Sequence, residues 1–372
     1  MLYPDIILEL NPSVDIYKID DDRLEFYFMT TRQRIAMNVS EAVISLINGF
    51  DGIAAIGTLC EHIGIDFEDD NVQNFLQYLL HKKILLIPAE EEQERKVLSD
   101  DDLCRYDRQL NYFNSSFPSS AYEIQNVLQS TKVLIFGLGA IGSGIAMQLV
   151  MSGVRHLILV DKDIVSKDSL ERHFMFTSSD VGRSKVEAFS DFLKRIDSKV
   201  ECSTYHQIID YDTPIDALLD NSDFVINTLD EPYIGHTSMK IGRGCFVRDL
   251  PLYVAGGFDA HLMSTGELIV PNKTPCVDCY VSYFSESLKE WQPQYNVGAL
   301  TETEIQNSIF EVGGLASMSL FSVSYAVIVI LSYIATKDAS YSKGRGELLF
   351  DSMEINYLNV SKNPQCHVCG IK

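Results

Sequence analysis

The chain runs to 372 residues and carries a formal net charge of -22. That length is more than one ordinary core needs and fits two domains, while the acidic balance excludes a general nucleic-acid binder, because a phosphate backbone demands clustered Lys and Arg. Met1 leads into ordinary sequence, with no charged stretch followed by an apolar signal-like run, so a cytoplasmic protein with no nucleic-acid or membrane partner is expected.

Residues 1–88 have their own pattern. Ile16 to Asp20 and Leu24 to Met29 alternate like the arms of a hairpin around Asp21, Asp22 and Arg23. Helical periodicity follows: Ser40 is placed to cap the run that begins at Glu41, a second apolar run covers Ile53 to Ile63, and Val72 to Leu86 puts Phe75, Leu76, Leu79 and Leu80 on one face. A short hairpin and three helices predict a winged-helix-like module. Residues 89–104 are charge-dense and read as a solvated linker.

The remainder, 105–372, opens as a βαβ unit. A strand over Lys132 to Phe136 is followed by a glycine turn, a helix through Val150 and a second strand over Leu157 to Val160, which implies a parallel, doubly wound sheet. Further strands are expected at Val200 to Tyr205, Phe224 to Thr228 and Leu252 to Ala255. The apolar run Gly314 to Ala335 is long enough to span a membrane. It also holds Ser317, Ser319, Ser322, Ser324 and Ser332, which predicts a helix buried in the protein or at a dimer interface.

Two motifs carry chemistry. Gly137, Gly139 and Gly142 follow a strand and open a helix, where glycines let phosphates approach the backbone and the helix N-terminus supplies N–H groups. Asp161 ends the next strand, where a carboxylate accepts from ribose hydroxyls, and this pair by itself indicates an adenine nucleotide and leaves a dehydrogenase open. Cys276-x-x-Cys279 and Cys366-x-x-Cys369 are two knuckles of matching spacing, able to give four thiolates to one structural zinc ion. Cys60, Cys104, Cys202 and Cys245 are expected to be reduced, buried small hydrophobes. For Cys245, in a helix-like run, a thioester role is not expected.

Downstream of Val160 the chain reads DKDIVSKDSLERHFMF and then DVGRSKVEAF. With GLGAIGSGIAMQLVMSGVRHLILVDKDIV, the opening segment Arg105 to Gln109 and the paired CxxC motifs, residues from Arg105 to the C-terminus resemble the ThiF/MoeB/HesA superfamily of adenylating enzymes, which includes the ubiquitin-activating enzymes. Within it, VGRSK, LYVAGGF, IVPNKTPCVDCY and PQCHVCG are similar to the microcin C and pantocin type of peptide-modifying enzyme, which carries an N-terminal leader-recognition (PqqD-like) domain. The resemblance implies an α/β protein: a Rossmann-like adenylation domain with a structural zinc site, preceded by a small α+β peptide-binding domain in which the strand Leu24 to Met29 would receive the peptide by edge addition.

It also implies ATP, Mg2+ and Zn2+ as cofactors, a ribosomally made precursor peptide as partner, and a homodimer. By motif match, Arg172 and Lys185 would contact phosphates, Asp230 would hold magnesium, Asp161, Asp163 and Ser169 would serve the nucleotide, and Arg108 would reach into the partner subunit's site. Taken singly, Arg172 and Lys185 also fit solvated surface charges and Asp230 a helix cap. Ser169 stands where the family usually has asparagine and His173 where it has glutamine. Serine lacks the amide donor, so the nucleotide contact there is weaker or made through water. His173 is expected to pack or hydrogen-bond, and residues 281–310 are expected to cover the substrate.

Three functions compete on these residues. An ATP-dependent enzyme that adenylates a peptide carboxylate accounts for all of them. A catalytically degenerate relative that recruits a leader peptide to a separate enzyme is favoured by Ser169 and His173 and opposed by the retained charges. An NAD-dependent oxidoreductase shares the glycine turn but leaves the basic residues and the cysteine pairs unexplained.

Overall fold

The computed structural model describes residues 2–230, 234–287, 289 and 314–370, with the Arg172 side chain outside the described atoms. It separates into two compact units, Met1–Asn126 and Val127–Lys372.

In the first unit, β1 (Ile7–Leu10) is followed by the expected hairpin, β2 (Val14–Asp20) and β3 (Arg23–Phe28), with Ile16 opposite Phe26 and Asp20 opposite Arg23. A further strand, β4 (Arg34–Asn38), pairs on the other side of β3. The sheet order is therefore β2-β3-β4, and β3 has no free edge. An added peptide strand cannot pair along Leu24 to Phe28, and β4 takes over as a strand with an open edge. Leu24 and Phe26 alternate inward and are buried, as period 2 requires.

The Ser40 hydroxyl accepts from Val43 N, capping α1 (Glu41–Asn48) as its sequence predicts. The run from Ile53 is not one helix. Gly52 takes a φ of +77°, Asp51 Oδ1 accepts from Ile53 N and Ala54 N, and residues Asp51–Ala55 form β5, which pairs with β1 before α2 (Ile56–Ile63) begins. Likewise α3 (Asp70–His81) stops short of Leu86: Lys83 adopts a φ of +54° and the chain returns as β6 (Leu85–Leu86) on the other edge of β1. Leu8, Leu24, Phe26, Leu46, Ile56, Leu76 and Leu79 close the core between these sheets and helices.

Residues 88–105 hold two helices, α4 (Pro88–Arg95), which buries none of its residues, and α5 (Asp100–Arg105), joined by a short turn. The unit continues through α6 (Asp107–Ser116) into α7 (Ala121–Ser130). Polar ties hold these helices to what precedes them. Lys83 Nζ donates to the carbonyls of Asn114 and Phe117 at 2.9 and 3.1 Å, and Tyr122 donates to Glu91 at 2.9 Å. Burial and the neighbouring Glu91 push the Tyr122 phenol up to about 12.

The second unit is built on β7 (Lys132–Phe136), α8 (Ala140–Met151), β8 (His156–Asp161), the short α9 (Ser169–Arg172), α10 (Lys185–Ile196), β9 (Glu201–His206), α11 (Asp216–Asp220), β10 (Phe224–Asn227), α12 (Ile234–Val247) and β11 (Leu252–Val254). All five expected strands are present within a residue or so of their predicted ends. With β13 (Glu267–Ile269) they form a sheet of order β13-β11-β10-β7-β8-β9, parallel except at β13. Its topological switch point lies between β7 and β10, and in such sheets the crevice at the strands' carboxyl ends is where ligands bind. A smaller antiparallel sheet joins β12 (Leu262–Ser264), β14 (Gly346–Leu349) and β15 (Ile355–Tyr357).

Helix α13 (Val277–Ser287) takes up the first part of the segment expected to cover the substrate, and apart from Lys289 the rest of that segment lies outside the described residues. Helix α14 (Ala316–Thr336) is long and apolar enough to cross a membrane by length and composition, yet 56% of its most apolar stretch is buried within the protein. It packs along α8, and the Ser322 hydroxyl donates to the Ser264 carbonyl at 2.7 Å in the interior. A serine that satisfies a strand carbonyl is a tertiary contact, which agrees with the packed helix expected from the serines.

Candidate functional site

The glycine turn sits at the switch point, and each glycine has a different steric reason. Gly137 has a φ of +91°, and a Cβ there would lie 2.5 Å from Thr228 Oγ1. At Gly142 a Cβ would lie 2.1 Å from the Gly137 carbonyl oxygen, inside the turn itself. Gly139 differs: it caps α8 with φ -67° and ψ -172°, which any residue adopts, and a Cβ there would meet nothing within 4 Å. Two glycines thus make the turn and the third leaves space beside it.

That space is a cleft of about 470 Å³, lined by Gly137, Gly139, Gly142, Asp161, Asp163, Ser169, Lys185 and Asp230 among others. Eight residues singled out from the sequence therefore meet in one place. Arg172 belongs to α9, its side chain outside the described atoms, and Arg108 is an exposed residue of α6 in the first unit.

Asp161 is buried, and its carboxylate organises the backbone around it. Oδ2 accepts from Leu138 N at 2.5 Å in the glycine turn, and Oδ1 accepts from Asp163 N at 2.7 Å. Each oxygen keeps a lone pair for a further donor. Lys185 opens α10 and is also buried; its Nζ donates to Asp163 Oδ2 at 2.8 Å, and its backbone N donates to the Asp163 carbonyl. Asp230 is exposed at the rim. His173 is buried with its ring against Phe176, as expected of a packing residue.

Several lining residues were not singled out from the sequence: Lys162, Ile164, Ser166, Thr228 and Phe258. Thr228 follows β10, and its hydroxyl lies against the carbonyls of Phe136 and Gly137 at 3.1 and 3.0 Å, locking the switch point. Its signal was its place in the NTLDEP segment, directly after an apolar strand. Phe258 ends the LYVAGGF segment, but only the loop after β11 brings its side chain to the cleft.

The four knuckle cysteines converge. Their sulfurs all lie within 4.8 Å of one another, with Cys276 to Cys366 at 3.5 Å, Cys279 to Cys369 at 3.4 Å and Cys276 to Cys279 at 3.8 Å. These are far longer than a disulfide, and a tetrahedron with metal–sulfur bonds of about 2.3 Å has edges of about 3.8 Å, so the set fits zinc. Backbone N–H groups of Asn363 and Val368 point at Cys279 and Cys366 sulfurs, donors that favour thiolates. Asp278, between the first two ligands, pairs with Arg243 of α12 at 2.5 Å and anchors the knuckle to the sheet layer.

The other cysteines divide. Cys60 and Cys245 are buried as expected, whereas Cys104 is exposed on α5 and Cys202 is half-buried on β9, because the helix face and the strand edge they occupy are not covered. Burial pushes the Cys245 thiol up to about 12, which suits a packing residue and not a nucleophile.

A second concavity of about 530 Å³ belongs to the first unit. Ile35, Met37 and Val39 from β4 and the residue after it face Val43 of α1 and Val72 and Phe75 of α3 across it. It is an apolar groove running beside an open strand edge.

A glycine turn at the switch point of a parallel sheet, with cations and carboxylates around it and a four-cysteine metal knuckle, defines a Rossmann-like nucleotide-binding protein. The chain belongs to the ThiF family, whose profile matches residues 106–368. It is 28% identical over 279 residues to the molybdopterin-synthase adenylyltransferase of Escherichia coli K12, covering 73% of this chain and 98% of that one. The adenylyltransferase and sulfurtransferase MOCS3 of Sus scrofa is 30% identical over 310 residues, 79% of this chain and 61% of the relative. In structure the whole chain is similar to E. coli MccB solved with MccA-N7isoASN, with a TM-score of 0.68 at 21% identity over 98% of this chain and 99% of that one. PaaA gives a TM-score of 0.65 at 20% identity, over 95% and 100%. These structural likenesses show the fold of both units together with the sequence match in the second.

Proposed function

We propose that the protein uses ATP to adenylate a carboxylate of a ribosomally made precursor peptide, for maturation of a microcin-like or pantocin-like peptide product. The observation that carries the reading is the meeting of Gly139, Asp161, Lys185 and Asp230 in one switch-point cleft of an adenylyltransferase-family domain. The MccB-like first unit, with its apolar groove beside an open strand edge, supplies the peptide side.

In this mechanism the triphosphate lies against the glycine turn, where backbone N–H groups and the start of α8 take up negative charge. The peptide carboxylate attacks the α-phosphorus, the bond to the β-phosphate oxygen breaks, and pyrophosphate leaves. Lys185 and Arg172 offset the phosphate charge, and Asp161 accepts from the ribose with the lone pairs left by its backbone contacts. Asp230 and Asp163 offer the hard oxygen donors suited to magnesium, which when bound neutralises the leaving pyrophosphate. The substrate carboxylate is its own nucleophile, so no cysteine or histidine is needed. Arg108, exposed on α6, serves the cleft of the partner subunit in a homodimer. The peptide adds to the open edge of β4 through backbone hydrogen bonds, with alternate apolar side chains in the groove.

The test is pyrophosphate release from MgATP with and without the candidate peptide. Peptide-dependent release is expected, abolished in Asp230→Ala and in Arg108→Ala, and partly restored when those two variants are mixed. Peptide binding with no release in the wild type would favour the second reading, a degenerate relative that recruits a leader peptide to another enzyme. Ser169 and His173 are the residues that speak for it.

A further inference from the structure

On the reading of the cleft as an ATP site, one of the hydroxyls on its wall is placed to meet the nucleotide. Among the described residues, three hydroxyl side chains line that cleft: Ser166, Ser169 and Thr228. Each has one proton to give. The Thr228 hydroxyl is committed to the carbonyls of Phe136 and Gly137. Ser169, the first residue of α9, is 4% exposed, and its oxygen accepts from Ser166 N at 3.2 Å and lies 2.8 Å from Ser166 Oγ.

The direction of the last hydrogen bond follows from counting protons. If Ser166 gave its proton to Ser169, the buried Ser169 hydroxyl would have no further acceptor among the described residues. If Ser169 gives its proton to Ser166, the Ser169 hydroxyl is satisfied both as donor and as acceptor, and Ser166, which is half-buried, keeps its own proton free. We propose that Ser166 is the cleft hydroxyl that donates to an oxygen of bound ATP, and that Ser169 is a positioning residue acting through it. A pair of serines then does at this wall what one longer polar side chain at position 169 would do alone, with the reach supplied by Ser166.

The experiment is calorimetric titration of the full-length, zinc-loaded protein with MgATP. Ser166→Ala is expected to weaken ATP binding about tenfold to hundredfold, the loss of one hydrogen bond to a charged acceptor, with melting temperature and peptide affinity unchanged. Ser166→Thr, which keeps the hydroxyl, is expected to bind as the wild type does. Ser169→Ala is expected to cost several-fold in the wild-type background and nothing further in Ser166→Ala, a dependence that a merely structural role would not produce. Wild-type affinity in Ser166→Ala overturns the assignment. An equal Ser169→Ala loss in both backgrounds overturns the positioning role, since Ser169 would then touch the nucleotide itself. A wild-type protein without measurable ATP binding would remove the nucleotide reading, and this assignment with it.

Discussion

Alanine placed at each of two glycines, Gly139 and Gly142, separates the turn's fold from its function. At Gly142 the new Cβ would lie 2.1 Å from the Gly137 carbonyl oxygen and 2.6 Å from Thr228 Oγ1. The nearer atom is backbone, so the turn must open, and overpacking of this kind costs about 1–3 kcal/mol or more. At Gly139 the backbone suits alanine and the Cβ meets no protein atom within 4 Å. Two small effects oppose each other there: a stiffer unfolded chain favours alanine by about 0.4–1 kcal/mol, and the helix N-cap favours glycine by a similar amount. The net change in stability is expected to stay below about 1 kcal/mol. The methyl group nevertheless occupies the room against which a phosphate must lie, and losing one or two charge-assisted hydrogen bonds weakens ATP binding by about tenfold to a thousandfold. Urea denaturation followed by ATP titration reads both quantities. Gly139→Ala that binds ATP like the wild type would refute the argument, because phosphate would then not approach this turn.

The metal knuckle is expected to hold about one zinc ion per chain, since four converging thiolates make one closed tetrahedral site. Cys366→Ser should release it and lower the melting temperature, and protein purified without chelator but lacking zinc on metal analysis would sink the assignment. Cys245 is expected to resist alkylation in the native protein at pH 8. Its folded pKa of about 12 lies above the ordinary thiol value, so the neutral thiol stabilises the fold fully below about pH 9 and that contribution is lost as pH rises toward 12. Rapid native alkylation at pH 8, with retained activity as the control, would show the site to be open. Phe75→Asp puts a charge into the apolar groove beside β4 and is expected to weaken peptide binding by more than tenfold while ATP affinity is unchanged. Equal peptide affinity in that variant would move the recognition surface elsewhere.

The sequence by itself determined the second unit's frame. The five parallel strands, the α8 turn and the two CxxC pairs are local patterns: continuous apolar runs bounded by turns, glycines at fixed offsets and ligands three residues apart. A capped helix such as α1 is equally local, because Ser40 and Val43 are neighbours in the chain. Tertiary structure alone decided what depends on contact across sequence. Ile53 and Leu85 carry apolar patterns that fit a helix, yet both lie in strands, because β1 offers them two edges and left-handed residues at Gly52 and Lys83 turn the chain toward it. The β3 strand looked like a peptide-receiving edge until β4 paired with it, since pairing is a property of two segments and not of one. In the cleft, the chain pattern named Asp161 and Lys185, but only folding revealed that the first holds the glycine turn and the second leans on Asp163. Hydroxyl roles at Ser166, Ser169 and Thr228 were invisible for the same physical reason: a serine's part in a site is set by which neighbour takes its single proton, and those neighbours are assembled by the fold.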